Sequence, residues 1–218
     1  MSSPFRRYVL GARWYDVLSG ERAVYRAGRV AGIDDMDLSE GDVVIDLGCG
    51  TGLNFSLLRD AVGASGAVIG IDLSAEMLDV ARRRVERHGW RNVRLIAADA
   101  ARLDASAIGS ALGDGGADAL IATYALSVMR ADAPAAFAGA TGLLRPGATV
   151  CVVDMQPPTG RWRVLSPLAR LACAFGGADI TARPWRMLEA VAVPGSVRRR
   201  GLRGEHIVAV TGSLPGSA

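Results

Sequence analysis

The chain has 218 residues, of which 50% are apolar and 22% are charged, and its formal net charge is +3. These values are typical of one folded domain; they exclude a wholly disordered chain, and the charge is too small to indicate a nucleic-acid partner. All 25 basic residues are arginine, which excludes enzymes that need a lysine amine, such as Schiff-base enzymes and P-loop nucleotidases.

After residue 38 the chain alternates short apolar runs with helical patterns. The apolar runs predict buried strands at residues 43–47, 67–71, 93–97, 119–122 and 149–153. Helical patterns follow at residues 53–62, 75–88 and 133–144, and Pro146-Gly147 predicts a turn just before the fifth strand. Continuously apolar strands that alternate with helices are typical of a parallel sheet covered on both faces.

The end of the chain has a different pattern. Residues 197–200 and 206–210 predict two short strands that close the sheet in the antiparallel direction. The predicted fold is therefore α/β: a doubly wound, Rossmann-like, seven-stranded and mostly parallel sheet with a C-terminal antiparallel hairpin. We expect a single domain over residues 1–218, with a cofactor-binding core at 39–155 and a closing hairpin at 196–212.

Two segments lie outside this alternation, at residues 1–38 and 156–195, and they hold three of the four tryptophans. Ligands of open α/β sheets bind outside the carboxyl ends of the strands, so we expect both segments to form helical lids over a substrate. Within the second, residues 161–175 have an amphipathic pattern flanked by arginines. That pattern predicts either a helix packed over the active site or an interfacial helix at a membrane.

The sharpest motif is VVIDLGCGTG at residues 43–52, where a strand ends in a glycine-rich turn that opens a helix. Glycine lets the backbone approach a ligand closely, and a helix N-terminus offers unpaired N–H groups. The spacing is GxGxG, which differs from the GxGxxG of dinucleotide-binding proteins. Asp46, just before the turn, would repel a pyrophosphate and would suit an ammonium group.

Two further acids follow the next predicted strands. Asp72 ends the second strand, where a carboxylate can accept both ribose hydroxyls. Asp99 follows the third, where it can accept from an exocyclic adenine amine. Together with Asp46, these acids outline a ligand with a cationic amino acid end, a ribose and an adenine, which is S-adenosylmethionine. The cysteines, Cys49, Cys151 and Cys173, form no CxxC pair, so neither a zinc site nor a disulfide framework is expected.

Residues 46–52, with Asp72 and Asp99, resemble motif I and the cofactor-binding acids of class I S-adenosylmethionine-dependent methyltransferases. The resemblance covers about residues 40–155 and the closing hairpin. It implies an S-adenosylmethionine site, with the sulfonium and the acceptor beside residues 124–127. No metal is expected, because the sequence has the three acids and no clustered set of metal ligands. The cofactor contacts that it implies are Asp46, Gly48, Cys49, Gly50, Thr51, Gly52, Asn54, Asp72, Leu73, Met77, Asp99, Ala100 and Tyr124.

A finer resemblance lies in residues 49–55 (CGTGLNF), 14–16 (WYD), 25–26 (YR), 176–179 (GGAD) and 183–185 (RPW). These segments are similar to bacterial lipid and quinone methyltransferases, with phospholipid and betaine-lipid N-methyltransferases the nearest. The resemblance implies a small apolar or lipid-like acceptor, and Tyr15, Tyr124 and Ser127 are the candidate catalytic residues. No base is evident, since His88 and His206 are expected to be structural. An amine acceptor is therefore favoured, because a neutral amine needs only positioning and desolvation.

Other functions remain open from the sequence. A natural-product O-, N- or C-methyltransferase is the first alternative; a nicotinamide oxidoreductase and a non-catalytic cofactor-binding module are disfavoured by the GxGxG spacing and the intact acids. The expected partner is a small molecule or a lipid, with no nucleic acid. Since no signal peptide or bilayer-spanning run is evident, the cytoplasm is the expected compartment, with peripheral membrane contact as a second expectation. The oligomeric state is left open.

Overall fold

The structure, a computed structural model, describes residues 25–112 and 115–216. Its strands are β1 (Val43–Leu47), β2 (Ala67–Asp72), β3 (Val93–Ala97), β4 (Ala117–Thr123), β5 (Leu144–Met155), β6 (Arg198–Leu202) and β7 (Ile207–Ser213). Its α-helices are α1 (Arg26–Asp34), α2 (Phe55–Val62), α3 (Ala75–His88), α4 (Ala105–Leu112), α5 (Leu126–Met129), α6 (Ala133–Thr141), α7 (Ser166–Phe175) and α8 (Trp185–Val191). Short 3₁₀ turns occupy Ala100–Arg102, Arg130–Asp132 and Gly160–Leu165.

Within the described residues, seven strands form one sheet in the order β3-β2-β1-β4-β5-β7-β6. The first five in this order are parallel, while β7 is antiparallel to β5 and to β6. The predicted mostly parallel sheet with its C-terminal hairpin is confirmed. The winding reverses between β1 and β4, so the carboxyl ends of these strands border the crevice where ligands of such sheets bind.

Helices cover both faces of the sheet, and each face has its own apolar core. On one face, Ile108 of α4, Phe137 of α6 and Leu188 of α8 pack against the strands. On the other, Phe55 of α2 and Leu78 of α3 pack in a second cluster, together with residues of α1. Strands buried from both sides need apolar side chains on both faces, which explains their continuous apolar runs.

Local signals set the boundaries of several elements. The bounds predicted for β1, β3 and α3 agree with the structure. Helix α3 begins where the Ser74 hydroxyl accepts a hydrogen bond from the Met77 N–H, and it ends at Gly89, whose φ of 65° is left-handed. A serine N-cap and a glycine after the last turn are the usual signals for the start and end of a helix.

The turn predicted at Pro146-Gly147 lies inside β5 and not before it. Ala117 of β4 pairs with Leu144, whereas Ala119 pairs with Thr149, so β5 has extra residues between these two pairs. Gly147 has a φ of 80° and donates its N–H to the Pro215 carbonyl at 2.9 Å. The turn residues therefore form an irregularity within a longer strand.

Helix α1 packs against β5 and β7, and Ile33 and Met36 at its C-terminal end are buried. Residues 25–36 are therefore part of the core, which corrects the prediction that they belong to a lid. The rest of that predicted lid, residues 1–24 with Tyr15, lies outside the described residues.

Arginines of the edge strand β6 hold the end of α1. Arg198 donates to the Asp37 carboxylate at 2.7 Å and to the Asp35 carbonyl, and Arg200 pairs with the Asp35 carboxylate. The third arginine of this run, Arg199, pairs with Glu205 at 2.6 Å. Arg198 and Arg200 thus bind the edge of the sheet to the segment that follows α1.

The predicted second lid, residues 156–195, divides into two parts. Helix α8 belongs to the core, since Trp185 and Leu188 are buried against the sheet. Helix α7 lies further out and exposes Leu168 and Leu171, while Cys173 is buried beside Met155 at the end of β5. In the part of the chain that the structure describes, no helix is both long and apolar enough to cross a bilayer.

Candidate cofactor and acceptor site

The glycine-rich turn after β1 forms the centre of the candidate site. Gly48, Gly50 and Gly52 all have positive φ angles, of 68°, 55° and 77°. The N–H groups of Gly48 and Cys49 donate to the Ile71 carbonyl of β2 at 2.8 and 3.0 Å. The loop is thereby held against the end of β2, in a conformation that favours glycine at three alternate positions.

Two of these glycines differ in the space around them. A Cβ at Gly52 would overlap the ring of Phe55, whereas a Cβ at Gly50 would meet nothing within 4 Å. Gly52→Ala is therefore expected to lower the free energy of unfolding by about 3 kcal/mol, and Gly50→Ala by about 1 kcal/mol, the cost of the left-handed backbone alone. Urea unfolding of both variants measures the difference. Equal losses would show that Phe55 moves aside without cost.

Asp72, at the end of β2, ties the loop to the next helix. Its Oδ2 accepts the Gly50 N–H at 2.8 Å, and its Oδ1 accepts the Ser74 N–H at 2.9 Å. Burial raises the pKa of this carboxyl, and the N–H groups of Ser74, Gly50 and Leu73 oppose that effect. Leu73 beside it is 49% exposed. An acid that can accept hydroxyl donors next to an open apolar side chain fits a ribose with its adenine.

Asp99 follows β3 and caps the short turn after it. Its Oδ1 accepts the Ala101 N–H at 3.0 Å, and its Oδ2 pairs with the exposed Arg102 at 3.1 Å. Ala100 begins that turn, and Met77 is buried in the first turn of α3. The adenine contacts expected from Asp99, Ala100 and Met77 stay predictions.

Asp46 lies in the middle of a buried polar network. Its Oδ1 accepts from the Asn54 side-chain amide at 2.9 Å, and the same amide nitrogen lies 3.0 Å from the Thr123 hydroxyl. Arg29 of α1 donates to the Asn54 Oδ1 at 3.1 Å and to the Thr123 hydroxyl at 2.6 Å. The network therefore joins the glycine loop, the end of β4 and helix α1.

The two carboxylate oxygens of Asp46 differ in their hydrogen bonding. Oδ2 is buried and has no hydrogen-bond partner among the described residues. Burial raises the pKa of Asp46 to about 7, although the Asn54 hydrogen bond and the Arg29 charge lower it and the Asp72 charge raises it further. An unsatisfied carboxylate oxygen in this position suits a cationic donor. The ammonium of S-adenosylmethionine is such a donor, so the residues present fit that cofactor.

Cys49 and Thr51 complete the loop and are both buried. Burial raises the pKa of the Cys49 thiol well above its ordinary value, and the charges of Asp46 and Asp72 add to that effect. A thiol in this state is a small apolar group and not a nucleophile. Among residues 25–112 and 115–216, no group of three His, Cys, Asp or Glu side chains converges as a metal site would require.

Tyr124, directly after β4, has a φ of 57°. Its hydroxyl donates to the Tyr25 carbonyl at 2.8 Å, and its ring lies edge-on to the Tyr25 ring with the centroids 4.9 Å apart. The Arg29 guanidinium lies 5.2 Å from the centroid of the same ring. Tyr124 thus follows the carboxyl end of β4, and its hydroxyl is already engaged as a donor; its contact with the cofactor and its catalytic role stay predictions.

Ser127, the other described candidate catalytic residue, is fully buried. Its N–H donates at 3.0 Å to Asp154 of β5, whose other oxygen accepts the Met155 N–H at 2.8 Å. Burial raises the pKa of Asp154 to about 6. A catalytic hydroxyl must reach an acceptor that arrives from solvent, so this geometry favours a structural role for Ser127, in holding the loop after β4.

Three residues of the candidate site were not predicted from the sequence: Arg29, Thr123 and Asp154. Asp154 had a signal, since it is a lone acid in the apolar run that forms the end of β5. Thr123 ends β4 at the same edge of the sheet. Arg29 had none, because it lies 94 residues from Thr123 and meets it only in the folded chain.

Comparisons with known proteins agree with this geometry. Residues 44–147 match the family model described as a methyltransferase domain. A solved S-adenosylmethionine-dependent methyltransferase from Aquifex aeolicus shares the fold, with a TM-score of 0.66 and 17% identity over 94% of this chain and 99% of that one.

Two curated relatives are similar in sequence. The arsenite methyltransferase of Aquipseudomonas alcaligenes is 33% identical over 178 residues, which are 78% of this chain and 47% of the relative. The demethylmenaquinone methyltransferase of Shouchella clausii is 34% identical over 91 residues, 41% of this chain and 39% of the relative. The chain spans less than half of the length of these relatives. Residues 44–147 therefore match a methyltransferase domain, and the fold of a solved S-adenosylmethionine-dependent methyltransferase extends over nearly all of the chain.

Proposed function

We propose that this protein transfers a methyl group from S-adenosylmethionine to an apolar or lipid-like amine. The bound cofactor would supply an electrophilic methyl group on its sulfonium. Asp46 would hold the ammonium of the cofactor, and Asp72 would hold its ribose. The protein's remaining task is to bring a nucleophile to that methyl group and to exclude water.

A buried apolar cluster at the carboxyl ends of β4 and β5 supports an apolar acceptor, and it is the observation that carries the proposal. Met155, Cys173, Ala178 and Ile180 are buried together there, and the rings of Tyr25 and Tyr124 pack against them. The Cys173 sulfur lies 3.6 Å from the Met155 sulfur, so the last turn of α7 lies directly on the end of β5. This packing also supports a role for residues 156–180 in covering the acceptor.

The hydrogen bonds at this edge favour an amine. The Asp154 carboxylate accepts two backbone N–H groups, and the Tyr124 hydroxyl donates to a carbonyl. Asp154 is also fully buried, so neither group is placed as a base open to an acceptor that arrives from solvent. A phenol or an enol needs such a base, whereas a neutral amine has a lone pair, and an apolar enclosure favours the neutral form of an amine.

Transfer of labelled methyl groups tests the proposal. The enzyme is incubated with labelled S-adenosylmethionine and, separately, with vesicles that contain phosphatidylethanolamine, a panel of apolar amines and a panel of phenols. We expect label in the amine-bearing acceptors, and none with Asp72→Ala. Label in phenols alone would overturn the amine proposal and leave the methyltransferase domain intact.

A second candidate function, O-methyl transfer, is favoured by one contact. The Nδ1 atom of His206 lies 2.6 Å from the Gln156 carbonyl at the end of β5. A carbonyl only accepts, so Nδ1 carries the proton and Nε2 is left as a base. If the acceptor is an amine, His206→Gln should keep turnover within about threefold, since glutamine can still donate to that carbonyl. A loss of about 100-fold or more would instead identify His206 as a base.

A further inference from the structure

Residues 156–195 contain an arginine-lined pocket that methyl transfer does not explain. It is open, has a volume of about 300 Å³, and is lined by Pro157, Arg170, Thr181, Arg183 and Arg186. The three arginines come from different segments: Arg170 from α7, Arg183 from the loop before α8, and Arg186 from the first turn of α8. Tertiary structure therefore brings three arginines around one space.

The residues that the structure describes do not neutralise the charge of this pocket. Within the part of the chain that the structure describes, none of the three arginines forms an ion pair with a carboxylate. The neighbouring acid, Asp179, accepts instead from the Thr181 N–H at 2.9 Å and from the Thr181 hydroxyl at 2.6 Å. Three like charges at one pocket repel each other, and a bound anion would relieve that repulsion.

One of these arginines, Arg183, has an unusual backbone conformation. Arg183 has a φ of 48°, a left-handed conformation that is uncommon for a residue with a side chain. Its carbonyl accepts the Arg186 N–H at 3.1 Å, so the first turn of α8 fixes the conformation. Strain of this kind persists where the surrounding fold imposes it, and it often positions a functional side chain.

We propose that this pocket binds the phosphate group of a phosphate monoester. Guanidinium groups match phosphate oxygens in pairs, and this geometry gives strong and directional binding. The same helix that supplies Arg170 exposes Leu168 and Leu171, which are 66% and 57% accessible. An apolar surface beside a phosphate site fits an amphiphile whose head is held by the arginines. A lipid headgroup and a soluble phosphate ester share this chemistry.

Binding to the pocket is measured without cofactor, so it is tested independently of methyl transfer. The test variant is Arg170→Gln/Arg183→Gln/Arg186→Gln. The matched control is Arg83→Gln/Arg87→Gln/Arg91→Gln, which removes the same charge from three exposed arginines in and just after α3. Circular dichroism checks the fold of both. Arg186→Lys, which keeps the charge and loses the paired geometry, serves as a second test if the pocket variant does not fold.

Two binding experiments distinguish a soluble phosphate ester from a lipid headgroup. In the first, O-phosphoethanolamine is titrated calorimetrically, with ethanolamine as the phosphate-free control. In the second, phosphatidylcholine vesicles with and without phosphatidic acid are tested by cosedimentation. We expect the pocket variant to bind at least about tenfold more weakly in one or both arms, Arg186→Lys several-fold more weakly, and the control triple within about twofold of wild type.

The pattern of losses identifies the source. A loss confined to the vesicles that contain phosphatidic acid identifies a lipid headgroup, and a loss with O-phosphoethanolamine identifies a soluble ester; either result supports the site. Equal losses in both triple variants would show only general attraction between charges and would overturn the proposal. The same holds if wild type binds neither probe.

Discussion

Asp72→Ala is expected to weaken S-adenosylmethionine binding by about 100-fold or more. Hydrogen bonds to a charged group contribute about 1.5–3 kcal/mol each, and about 1.4 kcal/mol corresponds to a factor of ten in affinity. The ribose would lose two such bonds. In addition, the Asp72 carboxylate holds the N–H of Gly50, so its removal also loosens the loop that faces the cofactor. Isothermal titration calorimetry with S-adenosylmethionine and S-adenosylhomocysteine measures the loss.

Two further variants make this result specific. Asp79→Ala removes an exposed carboxylate of α3 and should leave affinity within about twofold. Asp99→Ala should have a smaller effect than Asp72→Ala, because it removes at most one contact with the adenine. If Asp72→Ala bound the cofactor as tightly as Asp79→Ala does, the ribose assignment would be wrong.

The second large expected effect is that Asp46 makes the stability of the protein depend on pH. Its pKa is about 7 in the folded chain and has an ordinary value, 3.8, in the unfolded chain. The folded state therefore binds the proton more tightly. Between about pH 4 and about pH 7, the free energy of unfolding should fall as pH rises, by up to about 1.4 kcal/mol per pH unit for one such group. Asp154, with a folded pKa of about 6, acts in the same direction over the lower part of that range.

Asp46→Asn should remove much of this slope, since the side chain can no longer lose a proton. Urea unfolding at several pH values measures the slope, and Asp60→Asn, an exposed acid of α2, is the control that should keep it. Because a cationic ligand favours the carboxylate, the affinity for S-adenosylmethionine should rise with pH through about 7 in wild type and not in Asp46→Asn. Parallel slopes in the two proteins would exclude Asp46 as the titrating group.

Only part of the candidate site could be predicted from local sequence. The glycines of the turn and the acids at the ends of β1 and β2 lie in or next to apolar runs, so their place at one edge of the sheet follows from the strand pattern. The hydrogen-bond network around Asp46 could not be predicted from the strand pattern. Asn54, Thr123 and Arg29 come from three distant segments, and their contacts depend on how helix α1 packs.

The sequence by itself determined the strands, the glycine turn after β1 and the caps of α3, because apolar runs and capping residues act over a few neighbouring positions. Tertiary structure alone decided that residues 25–36 belong to the core and that α8 packs on the sheet. It also decided that Arg170, Arg183 and Arg186 share one pocket. These outcomes depend on which apolar faces find each other across the sheet, and such contacts join residues far apart in the chain.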